Sequence, residues 1–128
     1  FNLALRASFE QSSASSGKRF ELDMNLAETL VPDTVSYELF RVVQELTSNM
    51  LKYGSITSCV ARLRATPRGV CFELIDDGLP FDFKTAYKQT KGTGLQNIQS
   101  RLKSISAELE QHNIARGNYF KIYLVPHL

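Results

Sequence analysis

The stretch VVQELTSNMLKYG, residues 42–54, sets two kinds of residue on one helix. Val42, Val43, Leu46 and Met50 recur at helical spacing. With Val35 and Leu39 upstream they complete an i, i+4, i+7, i+8, i+11, i+15 apolar stripe. At about 100° per residue, Glu45, Asn49 and Lys52 fall within roughly 60° of one another beside that stripe, Asn49 nearest to it. A helix over 34–53 therefore carries a carboxylate, an amide and an ammonium at the lip of its own core, and Gly54 supplies its stop.

Those three groups suit a definite chemistry. A carboxylate can orient or deprotonate a hydroxyl or a water. An Asn carbonyl is a hard oxygen donor for Mg²⁺, which uses one or two protein oxygens together with substrate phosphates. A Lys offers phosphate a point charge. A solvated helix shoulder with an intrahelical Glu–Lys contact accounts for the same residues.

Outward from this helix the chain alternates in period. Leu3, Leu5 and Phe9 lead a first helix to about residue 13, followed by a loop ending near Gly17. RFELDMN alternates strictly, with Phe20, Leu22 and Met24 on one face, and reads as a half-buried strand. Pro32 with Asp33 or Thr34 marks the start of the long helix by turn and N-cap chemistry. TSCVARLRA and GVCFELID read as a hairpin joined by TPRG. LQNIQSRLKSI is a helix with Leu95, Ile98, Leu102 and Ile105 inside, and AELEQHN and YFKIYLV are strands joined by IARGN. The expected fold is α+β: a two-layer α/β sandwich with a mixed sheet of about five strands and about three helices on one face.

The bulk numbers bound the rest. At 128 residues the chain is expected to be a single domain over 1–128. A net charge of +2 gives no support to a nucleic-acid partner. No run of about 20 apolar residues is present, so no segment of this chain is expected to span a membrane, and no signal peptide is expected in it. Cys59 and Cys71 lie in apolar strand-like runs and are expected reduced and buried, which suits a cytosolic compartment. Phe1 already sits inside a helical pattern, so a fragment of a longer protein is expected.

Two further stretches carry chemistry. In FELIDDGLPFD, two-residue alternation puts Asp76 on the face of Phe72 and Leu74, at the carboxyl end of a strand. A carboxylate aimed at a core is costly unless hydrogen-bonded. The exocyclic amine of adenine is a suitable partner, and Gly78 lets the backbone turn close to a flat ligand. DDG is also ordinary turn chemistry. In KGTGLQNIQSR, Gly92 and Gly94 precede a helix whose free N–H groups attract phosphate, and Lys91 adds charge. A flexible loop with a Gly or Thr cap explains that stretch equally well. Residues 77–94 are long for a connector, as lids often are.

Together, in this order and spacing, the three signals resemble the boxes of the gyrase, chaperone, histidine-kinase and mismatch-repair ATPase superfamily. They look most like the ATP-binding catalytic domain of two-component sensor histidine kinases, whose fold is the Bergerat type. ELFRVVQELTSNMLKYG resembles that family's Asn-containing box. The resemblance implies Glu45 as base or water-orienting group, Asn49 as Mg²⁺ ligand, and Lys52 and Tyr53 on the phosphate and nucleotide side. DDGLPF resembles the first glycine box, implying Asp76 on the adenine amine and Gly78 at the turn. GTGLQNIQSRL resembles the second, implying Lys91, Gly92, Thr93, Gly94 and Leu95 beside the nucleotide, with Asn97, Ile98 and Arg101 as in sensor kinases.

The function so implied is transfer of the γ-phosphoryl group of ATP, with Mg²⁺, to a histidine on a dimerisation hairpin outside this chain. A response regulator is then the downstream partner, and the location is cytoplasmic, in a parent that is free or membrane-anchored. His112 and His127 stand in the C-terminal hairpin and tail and are not expected to be the phosphoacceptor. The sequence departs from the family at Pro80, where a second Gly is usual, and before the last strand, where Gly117 lacks the usual following Thr. DDGLPFD also resembles the anti-sigma-factor serine kinases, so a serine kinase that binds a partner protein is an alternative. A nucleotide-free interaction module of the same fold is another.

Overall fold

The computed structural model describes residues 1–24, 31–80, 82–83, 95–112 and 114–124. The connection 25–30, most of the expected lid (Phe81 and 84–94) and His127 lie outside the described residues.

α1 (Asn2–Ser16) buries Leu5 and Phe9, one turn apart, and leaves Leu3 74% exposed. It runs past residue 13, where the sequence turns to serine. Gly17 ends it with φ 72°, a left-handed conformation that glycine adopts without strain, and returns its N–H to Ser13 O at 3.0 Å. Ser13 Oγ accepts the Phe20 N–H at 3.0 Å, so the serine run ties α1 to the first strand. β1 (Arg19–Asp23) follows, with Phe20 edge-on to Phe9.

α2 (Asp33–Tyr53) is capped by Pro32 rather than by an Asp or Thr side chain. The Pro32 carbonyl accepts the first helical N–H groups, and Asp33 in the first turn sets a negative charge on the positive end of the helix dipole. All six residues of its expected stripe are buried, from 0% to 3% exposed. β2 (Ser58–Thr66) and β3 (Gly69–Asp76) form the expected hairpin, α3 (Leu95–Ser104) packs on α2, and β4 (Ala107–His112) and β5 (Asn118–Leu124) close the chain.

The sheet order is β1-β2-β3-β5-β4. β1 and β2 are parallel, connected through α2, and every other pair is antiparallel. Among the described residues this is the expected mixed five-strand sheet with three helices. Its inner face carries Cys59, Ala61, Leu63, Phe72, Leu74, Phe120 and Ile122, all buried against Leu39, Val42, Leu46 and Ile98 of the helices. Removing about 25 cal/mol per Å² of apolar surface from water makes this layer contact the main stabilising term. The outer face is ionic: Arg64 meets Glu73 at 2.5 Å, and Arg68 reaches Glu108 at 3.2 Å and Glu110 at 2.9 Å. No described helix is long and apolar enough to cross a membrane. Both cysteines are free and buried, as expected.

Candidate functional site

The polar shoulder of α2 divides into two levels. Glu45 and Asn49 are half-buried, flanking the buried Leu46 and Met50, whereas Lys52 and Tyr53 are exposed, Tyr53 to 65%. Among the described residues, no hydrogen bond occupies the Glu45 or Asn49 side chain, and no ion pair joins Glu45 to Lys52. The intrahelical Glu–Lys contact considered from the sequence is therefore not formed. The neighbour of this shoulder is α3: Arg101 Nη1 donates to Glu38 Oε2 at 2.8 Å, and its guanidinium also feels the Glu45 carboxylate.

Asp76 ends β3 on the inner face, as two-residue alternation requires, and is 3% exposed. Its register partners are Cys59 on β2 and Asn118 on β5. Asp76 Oδ1 accepts the Gly78 N–H at 2.8 Å. Asn118 Nδ2 donates toward both carboxylate oxygens, at 3.2 and 3.3 Å. Burial pushes the Asp76 carboxyl above the ordinary range, and the hydrogen bonds from Gly78 and Asn118 only partly offset it. The adjacent Cys59 thiol is pushed up by its own burial and then by the charges of Asp76 and Asp77.

The loop beyond Asp76 is fixed to the end of α2. The Leu79 N–H donates to Gly54 O at 2.7 Å. A Cβ on Gly78 would collide with that same Gly54 carbonyl oxygen and stand 2.6 Å from Ile56 Cγ2, so only glycine permits the approach. From the other side Gly117, at φ 90°, lies against Asp76, and a Cβ there would be 2.8 Å from the Asp76 carbonyl carbon. Gly54 itself is right-handed, at φ −91°, so its value lies in this close contact rather than in a left-handed helix stop. Asp77 turns toward the start of β2. Its carboxylate accepts the N–H groups of Thr57 at 2.8 Å and Ser58 at 3.0 Å and the Thr57 hydroxyl, which hold it well below the usual carboxylate range.

Thus two of the three sequence-identified places meet: the end of α2 at Gly54 and the loop that follows β3 share one hydrogen bond and a close backbone approach. The third, Lys91, Gly92, Thr93 and Gly94, lies outside the described residues, and of Leu95 the backbone alone is described, opening α3. An open groove of about 1300 Å³ lies beside Asn118 on the β4 side, lined among others by Pro80, Phe83, Leu102, Leu109, Gln111 and Asn118. Among the described residues that line it, none is on α2.

Asn118 and Gln111 escaped the sequence reading. A signal existed for Asn118: Phe120, Ile122 and Leu124 alternate onto the core face, and the same period places Asn118 there. Its partner could not be read, because β5 reaches β3 only through a non-local pairing.

No family model matches the sequence. Among curated proteins, the sensor histidine kinase ComP of Bacillus subtilis (strain 168) is 26% identical over 83 residues, 65% of this chain and 11% of ComP. Solved structures are similar over nearly the whole chain. The blue-light activated histidine kinase EL346 of Erythrobacter litoralis superposes with a TM-score of 0.76 at 15% identity, covering 94% of this chain and 40% of that one. The histidine kinase AdeS of Acinetobacter baumannii gives 0.72 at 16% identity, covering 97% of this chain and 61% of that one. The catalytic domain of histidine kinase ThkA gives 0.72 at 14% identity, covering 97% of this chain and 90% of that one. The chain has the fold of histidine kinase catalytic domains, and it spans a small part of ComP and well under half of EL346.

Proposed function

We propose that this chain, having the fold of histidine kinase catalytic domains, binds ATP with Mg²⁺ and donates the γ-phosphoryl group to a histidine on a dimerisation hairpin of a longer protein. The observation that carries the reading is Asp76: a carboxylate 3% exposed, at the tip of β3, whose following loop bonds through the Leu79 N–H to Gly54 O at the end of the helix that bears Glu45 and Asn49. A buried acceptor of this kind suits the exocyclic amine of adenine, and a hydrogen bond to a charged group contributes about 1.5–3 kcal/mol. Gly78 lets the loop that follows Asp76 lie directly against the end of α2.

At the other end, Asn49 and Glu45 stand half-buried one turn apart without hydrogen bonds to described residues, which fits a metal held by few protein oxygens and by phosphate. Mg²⁺, when bound there, would supply positive charge against the phosphates. Asn49 offers its carbonyl oxygen as ligand. Lys52 and Tyr53 reach the phosphate side, and Lys91, Gly92, Thr93, Gly94 and Leu95 receive the phosphates at the start of α3. Glu45 orients the acceptor imidazole or takes its N–H proton. The imidazole nitrogen then attacks the γ-phosphorus, the bond to the β-γ bridging oxygen breaks, and ADP leaves. Such transfer needs positioning and charge neutralisation more than covalent help. On this reading a response regulator takes the phosphoryl group next, and the site works on the cytoplasmic side.

The test is calorimetric titration with a non-hydrolysable ATP analogue, with and without Mg²⁺. Saturable, Mg²⁺-dependent binding of modest affinity is expected, and a folded chain that binds no adenine nucleotide in either condition refutes the proposal. Mixing with ATP and a separately made hairpin then separates the alternatives. Phosphate that is acid-labile and absent from a His→Ala hairpin supports histidine transfer, whereas acid-stable phosphoserine on a partner supports the serine-kinase reading.

A further inference from the structure

We propose that Asn118, supported by Gln111, is the positioning residue of the base end of the site, fixing the Asp76 carboxylate and tying it to the segment at Phe83. The inference rests on the ATP reading above. Asn118 is 2% exposed, and its amide nitrogen serves three oxygens: both of Asp76 and the Leu79 carbonyl, the last at 3.0 Å. Its Oδ1 faces Gln111 Nε2 at 3.5 Å, at the limit of hydrogen bonding. Gln111 Oε1 in turn accepts the Phe83 N–H at 2.8 Å.

The direction of this chain is fixed at both ends. The Phe83 N–H can only donate, so Gln111 must turn its oxygen to Phe83 and its nitrogen to Asn118. The Leu79 carbonyl can only accept, so Asn118 must turn its nitrogen inward. The reverse orientation would set the Asn118 oxygen against three acceptors. Asp76 is thereby held as an acceptor. Its Oδ1 takes Gly78 and Asn118, and Oδ2 has only the Asn118 contact among the described residues, which leaves it capacity for an incoming amine. Among the described residues, the titratable groups beside Asp76 are Asp77, next along the chain beyond β3, and the Cys59 thiol from β2, and from β5 the facing group is this neutral amide.

The 128-residue chain is compared with Asn118→Asp, Asn118→Ser and Asn118→Ala. Carbon NMR follows the Asp76 carboxyl without nucleotide, thermal melts check folding, and non-hydrolysable ATP and GTP analogues with Mg²⁺ are titrated across about pH 5–8. Asn118→Asp is expected to raise the Asp76 titration by about one pH unit or more, because a second carboxylate replaces the donors. It should weaken ATP-analogue binding on the order of tenfold at neutral pH and reduce the preference over GTP. Asn118→Ala should also raise the titration, and Asn118→Ser, which keeps a donor, should recover part of both effects. Should the Asp variant not fold, the Ala–Ser contrast decides.

Variants that fold yet keep the wild-type Asp76 titration and base preference overturn the proposal. If wild type binds no ATP, the functional reading fails while the nucleotide-free titration still judges the role of Asn118. For Gln111, a Gln111→Leu change should weaken analogue binding alone and add little to Asn118→Ala, and fully additive losses remove Gln111 from the assignment.

Discussion

Gly78→Ala adds one methyl group where the loop after β3 lies against the end of α2. The new carbon would stand 2.6 Å from Ile56 Cγ2 and closer still to the Gly54 carbonyl oxygen. Carbon atoms prefer about 3.5–4.0 Å, so loop and helix end must part by roughly 1 Å. Neither side gives easily. The loop is tied by Leu79 N–H to Gly54 O at 2.7 Å and by Gly78 N–H to Asp76 Oδ1 at 2.8 Å, and Ile56 is 2% exposed. Overpacking of this kind costs about 1–3 kcal/mol. Loss of the Leu79–Gly54 bond adds about 1 kcal/mol. The expected sum is about 2–4 kcal/mol, and a domain of this size shifts in Tm by roughly 3–5 °C per kcal/mol. Urea and thermal melts measure it, and an ATP-analogue titration of the still-folded variant should show weaker binding because Asp76 moves with the loop. A variant within about 0.5 kcal/mol of wild type, the scatter of surface substitutions, with unchanged affinity, would refute the close-approach argument.

Other outcomes follow from the same geometry. Asp76→Asn should weaken adenine-nucleotide binding by roughly 10–100-fold and erode its advantage over guanine, as read by parallel titrations. Asp77→Ala should lower stability at neutral pH by about 1–2 kcal/mol after allowance for partial exposure, read as a fall in Tm. Because the folded state holds Asp77 below the ordinary carboxylate range, the stability it contributes is present above about pH 4 and lost as pH falls through the lowered value. The deficit of the Asp77→Ala variant should therefore shrink in melts taken at progressively lower pH, and a deficit constant with pH contradicts the assignment. Glu45→Ala should leave nucleotide affinity within about twofold while slowing transfer to a supplied hairpin by about 10²–10⁴. Full transfer by that variant removes Glu45 from its role.

What the sequence disclosed tracks the range of the forces involved. The α2 stripe, the β2–β3 hairpin and the inward aim of Asp76 follow from periods of 3.6 and 2 within one element, and the structure has all three. α1 ran longer than its apolar residues indicated, because Gly17, Ser13 and Ser16 secure a serine-rich last turn by hydrogen bonds that periodicity does not register. Leu3, one of the three apolar residues that lead α1, is off the Leu5–Phe9 line and exposed. Asn118, Gln111 and the Gly54–Gly78 approach depend on strands and loops far apart in the chain, so no local pattern announces them. The helix–sheet layering was legible for the opposite reason, since each amphipathic element must bury its apolar side against the others.

The bond between Leu79 and Gly54 has a consequence for how this fold can vary. On the proposed ATP reading, purine and triphosphate would lie at opposite ends of one rod-like ligand, and the parts proposed to gauge them are clamped together by one bond between peptide groups. Drift in the loop after β3 would then drag α2 along with it, so the spacing would survive sequence change that would blur two separately mounted parts. Adaptation to new protein clients must then be carried by surfaces away from that clamp.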